Sequence, residues 1–159
     1  MSNAASDYQA RFSSELSNIS REMKRRGHPT PLGDPLSGVM VLLEGPAGPR
    51  ALDAISRSLK AVDLPNAYVT FTQTSLLERE LLLTEPRILA AVGPEAAAEI
   101  DALQLPLASQ PFSKASESIP FAWKRHAAGL LLPSLAPALE DETEKRRFWR
   151  AFLTLRTLA

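Results

Sequence analysis

With no cysteine and only two histidines, His28 and His126, in 159 residues, the chain excludes disulfides, thiol nucleophiles, cysteine-held iron–sulfur clusters and a His-rich metal site. Eighteen Lys and Arg balance eighteen Asp and Glu, which argues against a binder held to nucleic acid by net charge alone and leaves room for a local basic face. The length suits one domain that buries about two thirds of its unfolded surface. No apolar run reaches the roughly 18 to 20 residues of a membrane span, and a polar N-terminus without an apolar signal core leads to the expectation of a cytoplasmic protein.

Residues 1–5 read as a tag, Ser2-Asn3-Ala4 having the character of a cloning remnant, and 6–159 as a single domain. Tyr8, Phe12, Leu16, Ile19 and Met23 step by four, four, three and four, one face of a helix from about Asp7 to Arg26. Arg21, Lys24, Arg25 and Arg26 suit the negative end of its dipole. Gly27 to Ser37, rich in proline and glycine, is a loop in which His28 is a solvated bystander. Val39-Met40-Val41-Leu42-Leu43 then forms a short strand apolar on both faces. Glu44 follows at once, then the turn Gly45-Pro46-Ala47-Gly48 and a helix that Pro49 opens and Leu52, Ile55, Leu59 and Val62 pattern.

Ala67 to Phe71 is β-prone and makes a second strand. Ser75 and Glu78 have capping-box spacing for a leucine-rich helix that runs to about Thr84 and is broken by Pro86. Ile88 to Val92 is a third buried strand, closed by Gly93-Pro94, where a short alanine-rich helix begins and runs to about Leu103. Leu105 to Ser118, about 14 residues without a period, is either a functional loop or a poorly ordered one. Ile119 to Trp123 is a candidate fourth strand followed by Lys124-Arg125-His126, and Leu130 to Pro137 an apolar loop. The last helix has acids before bases, with Phe148, Phe152 and Leu155 on its apolar side and Lys145 to Arg147 on a solvated face.

Strands alternating with helices predict an α/β, three-layer α/β/α sandwich on a short, mostly parallel four-stranded sheet, order 2-1-3-4. Right-handed crossovers bring Glu44, Phe71 to Thr74, Gly93-Pro94 and His126 to one rim, at the carboxyl ends of the strands where ligands of such folds bind. There is no catalytic triad, Walker loop or dinucleotide fingerprint.

Four segments carry a resemblance. Leu42-Leu43-Glu44-Gly45-Pro46-Ala47 is similar to the Gly-Glu-Gly/Ala-Pro-Gly first motif of the bacterial and archaeal uracil-DNA glycosylases of the iron–sulfur branches. Tyr68 to Phe71 resembles the strand ending in Thr-Asn, and Glu85-Pro86-Arg87 through Gly93, with Ala97, the Pro-Arg, apolar strand, Leu-Gly, Ala segment. His126-Ala127-Ala128-Gly129-Leu130-Leu131 resembles the closing His-Pro-Ser/Ala-x-Leu-Leu motif, with Phe148 and Trp149 at about the usual distance beyond it. The chain departs from the family in lacking the cluster cysteines, so no iron–sulfur cofactor is expected. It also lacks the acid and the base-stacking aromatic after the first motif, has Leu43 for the motif's first glycine, Phe71 for the asparagine that reads a pyrimidine, and Ala127 for the proline.

A glycosylase extrudes a base, then balances a cationic sugar and an anionic leaving base. On the expected rim Glu44 would orient water or balance the sugar, His126 would stabilise the departing base, Gly45, Pro46 and Phe71 would form the base pocket, and Lys124 and Arg125 would touch phosphates. The structural alternatives are a Glu44 that accepts turn N–H groups, a His126 that closes a strand end and a Phe71 that fills the core. The resemblance therefore implies a divergent uracil-DNA glycosylase-like domain with lost or altered base excision that binds nucleic acid or a nucleobase or nucleotide at the carboxyl-end rim of the sheet. An active DNA glycosylase and a non-catalytic small-ligand or protein-interaction domain are the alternatives. DNA is the expected partner, the chain a monomer or weak oligomer, and the pocket between Glu44 and His126 small and shallow.

Overall fold

A computed structural model describes residues 4–159; positions 1 to 3 of the expected tag lie outside the described residues, whereas Ala4 already belongs to the first helix. The chain forms α1 (Ala4–Arg25), β1 (Val39–Leu43), α2 (Pro49–Ala61), β2 (Tyr68–Phe71), α3 (Leu77–Thr84), β3 (Ile88–Val92), α4 (Pro94–Ala102), β4 (Phe121–Lys124), β5 (Ala127–Leu132), α5 (Leu135–Glu140), α6 (Glu142–Phe152) and α7 (Thr154–Leu158). A 3-10 turn spans Phe112–Lys114.

The sheet has five strands in the order β2-β1-β3-β5-β4, not four. β2, β1, β3 and β5 run parallel, in register from Leu43 through Val92 to Leu132. β4 is an antiparallel edge on β5. The segment expected as the fourth parallel strand is therefore this edge, and the parallel strand is Ala127–Leu132, half of which had the character of a loop. The hairpin has weak local signals. Its two-residue connection is Arg125-His126 rather than an Asn-Gly pair, with His126 at φ 66°. Trp123 is the extra residue of a bulge between the pairs Ala122–Ala128 and Lys124–Ala127, and β5 opens with Ala-Ala-Gly, poor strand formers.

Alternation along the strands divides the core in two. Val39, Val41, Leu43, Val69, Phe71, Ala90, Val92, Leu130 and Leu132 face α2 and α5 to α7, where Ile55, Leu59, Phe148, Phe152 and Leu155 pack on them. Met40, Leu42, Tyr68, Leu89 and Ala91 face α3, α4 and the 3-10 turn, against Leu77, Leu81, Ile100, Phe112 and Trp123. Because β1 and β3 have helices on both sides, all their residues are buried, as the unbroken apolar runs require. α1 lies outside these layers and packs through Ile19 and Met23 on Leu76 and Leu83 beside α3.

One local expectation fails, and one open alternative is decided. Ser75 does not cap α3: it sits at φ 64°, Leu76 holds the N-cap position, and no side chain satisfies the cap. The Leu105 to Ser118 segment is pinned rather than loose. Phe112 is fully buried, its ring edge-on to Phe121 and Trp123 at 4.9 and 5.6 Å, and the Asp101 carboxylate accepts the N–H groups of Phe112 and Ser113.

Candidate functional site

β1 delivers Glu44 to the carboxyl-end rim because the strand has no room for a charge until it leaves the sheet. There Glu44 is half-buried and its Oε2 accepts the backbone N–H of Glu95 at 2.8 Å, in the first turn of α4. A carboxylate at a helix N-terminus gains from the dipole and from an otherwise unpaired N–H. Gly93 precedes that helix at φ 100°, and a β-carbon there would fall inside the Glu44 carboxylate. The glycine thus admits the acid to the helix end.

Gly45 donates its N–H to Thr72 Oγ1 at 2.7 Å, and Thr72 N–H returns to Leu43 O at 2.9 Å, which ties the turn after β1 to the end of β2. The Gly45-Pro46 peptide is cis. Gln73 N–H donates to Glu99 Oε1 at 2.7 Å, and Arg26 reaches the Thr74 carbonyl at 2.7 Å. The rim so built is acidic, with Glu44, Glu95 and Glu99 on adjoining segments.

Phe71 points away from any rim opening. It is 1% exposed within the core on the α2 side, so it fills the interior rather than lining a base pocket.

His126 is not on this rim. Parallel pairing levels Glu44 with Gly93 and Pro133, whereas His126 precedes the pair Ile88–Ala128 at the strands' amino ends. At about 3.3 Å per residue the two lie about 20 Å apart along the sheet. The expected shared rim fails because β4 is antiparallel, which returns the chain to the wrong end before His126. Lys124 and Arg125 go with it. Glu44 and His126 do not share a site: the length of the sheet separates them.

The amino-end edge holds a cavity of about 370 Å³, lined by Arg87, Lys124, Arg125 and His126 around Leu81, Pro86, Leu105 and Trp123, with Glu78 and Glu85 also on its wall. Lys124 Nζ stands 5.1 Å from the centre of the Trp123 ring. Among the described residues, Arg87, Lys124 and Arg125 enter no ion pair, unlike Arg25, Arg26, Arg50, Arg57, Arg79 and Arg147. Arg87 escaped the sequence-based reading because its neighbourhood depends on the hairpin. A larger groove of about 590 Å³ runs between α2 and α5–α6, with Arg50, Arg57, Glu140, Lys145 and Trp149 on its walls.

Beneath the acidic rim, on the α3–α4 side, lies a buried polar group. Glu80 is fully buried and accepts the Tyr68 hydroxyl at 2.6 Å. Burial pushes its carboxyl up to about 7, the Thr70 and Tyr68 hydroxyls pull it down, and the Glu99 carboxylate pushes it further up. Burial, and then the charge of Glu80, raises the Tyr68 hydroxyl. Glu80 Oε1, Thr70 Oγ1 and Glu99 Oε2 have no hydrogen-bond partner of normal geometry among the described residues. No signal in the sequence marks Glu80, since it sits among leucines as any surface acid of a helix would.

Among the described residues no cluster of three His, Asp or Glu could hold a metal ion, and no helix is long and apolar enough to cross a membrane. Comparison of the chain with protein-family models and with curated proteins returns no match.

Proposed function

We propose that the chain is a divergent, non-catalytic uracil-DNA glycosylase-like domain that has lost base excision and binds nucleic acid through phosphates. The observation that carries the loss of excision is the separation of Glu44 from His126, with Glu44 already engaged at the N-terminus of α4; it also takes His126 out of the resemblance, so the family reading rests on the β1, β2 and β3 segments alone. An acid and an imidazole at opposite ends of a sheet cannot act on one glycosidic bond.

Phosphate contact belongs at the amino-end edge rather than at the acidic rim. Arg87, Lys124 and Arg125, in no ion pair among the described residues, outnumber Glu78 and Glu85 on the same wall and give that edge a modest positive excess despite the zero net charge of the chain. The test is release of free base from uracil- and hypoxanthine-containing DNA, together with binding of the same duplexes over a salt series. No base release is expected, with salt-dependent binding that Lys124→Ala and Arg125→Ala weaken. Base release abolished by Glu44→Gln would restore the glycosylase reading. The groove between α2 and α5–α6, with mixed charges around Trp149, favours a second reading as a protein-interaction domain; DNA binding that is absent at low salt would leave that one standing.

A further inference from the structure

Among the described residues, the first half of α1 presents an apolar stripe that the fold leaves only partly covered. Helix burial begins only at Ile19, while Tyr8 is 67% exposed and Phe12 and Leu16 are half-buried. Tyr8 and Phe12 stack at 6.4 Å between centroids. Pro35 and Leu36 stand across from it, with a groove of about 570 Å³ along Tyr8, Phe12 and Leu16, and Leu36 is itself 69% exposed. An amphipathic helix segment of this length is marginal alone in water and gains most of its stability from what covers its apolar face.

The charges beside the stripe say what that cover is. At 100° per residue, Tyr8, Phe12 and Leu16 lie within about 40° of one line. Arg11 and Glu15 both fall on one flank of it, about 100° and 60° away, while Gln9 and Ser13 fall on the other. When two identical helices pack antiparallel about a two-fold axis, like flanks meet; when they pack parallel, opposite flanks meet. With the axis at Phe12, Tyr8 of one copy stands level with Leu16 of the other. Arg11 then lies about 3 Å along the axis from the second copy's Glu15, and the pair occurs twice. Arg11 enters no ion pair within the chain among the described residues, and Glu15, 3.5 Å from Arg79, is about half exposed. The parallel arrangement would set these charges against neutral Gln9 and Ser13.

We infer that α1 is a self-association surface, and that two copies of this chain pair antiparallel through Tyr8, Phe12 and Leu16 with reciprocal Arg11–Glu15 ion pairs. One pair of short helix segments is a small interface, so the dimer is reversible and concentration-dependent.

Sedimentation across a concentration series tests it on the full chain. Association is expected, with loss in Phe12→Glu, which would bring two carboxylates together at the axis. Arg11→Glu and Glu15→Arg should each weaken self-association about fivefold, the worth of two exposed ion pairs. Mixed with one another they should recover it, since each then meets its complement; a merely misfolded variant would not be rescued this way. The chain has no cysteine, so Phe12→Cys should form a disulfide-linked dimer on oxidation, and Ser14→Cys, on the far side of the helix, should not. A monomer at every concentration, mixing without recovery, or cross-linking of Tyr8→Cys to itself (the mark of parallel helices) would each overturn the inference.

Discussion

The Glu44 carboxylate occupies the volume that any side chain on Gly93 would need, so a strand-end acid and a helix-start glycine are one device. Gly93→Ala should therefore cost stability twice, through a positive φ that alanine resists and through displacement of the acid from the Glu95 N–H. A loss on the order of 3 kcal/mol in denaturant unfolding is expected. Glu44→Ala alone should lose about 1 to 2 kcal/mol, the value of a charge-assisted bond at a helix end. The double variant should lose less than the sum of the two single losses, because with the acid gone an alanine at position 93 meets no clash and only the backbone strain is added. Strict additivity would show that the two residues do not share one space.

This device was half legible in the sequence. The apolar run from Val39 and the Glu-Gly-Pro after it announce a parallel strand that ends on a charge, and the same logic finds β2, β3 and the helices between them. What escaped is the β4–β5 hairpin, since Ala127-Ala128-Gly129 has low strand propensity and gains its place only by pairing with β3. The error was not local. A hairpin in place of a crossover moves every residue of its turn to the other end of the sheet, and His126, Lys124 and Arg125 went with it. Arg87 and Glu80 were missed for a related reason: what makes them unusual is supplied by residues distant in the chain.

The ordered Leu105 to Ser118 segment should depend on one ring. Gly129 leaves space beneath Phe112 and Phe121, whose ring atoms would lie 2.5 to 2.9 Å from any β-carbon there. Phe112→Ala should destabilise the protein by about 3 to 5 kcal/mol, the usual cost of emptying a buried phenylalanine site. Hydrogen exchange should show protection lost first in this segment and in β4. Uniform loss across the sheet, or a cost below about 1 kcal/mol, would mean that the hydrogen bonds to Asp101, Trp123 and Leu131 hold the segment without the ring.

The basic edge makes a prediction about salt. If Lys124 and Arg125 each neutralise a phosphate, removing either should reduce the slope of log binding constant against log salt by about 0.9 for duplex DNA, without changing sequence preference. Arg87→Ala should behave the same way. Equal slopes for the wild type and all three variants would move nucleic-acid contact elsewhere on the molecule.

Buried Glu80 gives the stability curve a definite sign. Its carboxyl titrates near 7 in the folded chain against an ordinary 4.5, burial being the main cause. Between those values the unfolded chain has released its proton while the folded chain still holds it, so the unfolded state binds fewer protons and stability falls as pH rises. The contribution is complete below about pH 4.5 and gone above about pH 7, and the span corresponds to on the order of 3 kcal/mol. Glu80→Gln keeps an acceptor for the Tyr68 hydroxyl and cannot ionise. Urea unfolding of both proteins from pH 4.5 to 8 isolates the effect, because every carboxylate other than Glu99, which acts on Glu80 directly, cancels in the difference. The variant should match the wild type at the acid end and exceed it at pH 8. A difference that stays constant across the range would mean that Glu80 is ionised in the folded protein and paired by something other than Tyr68.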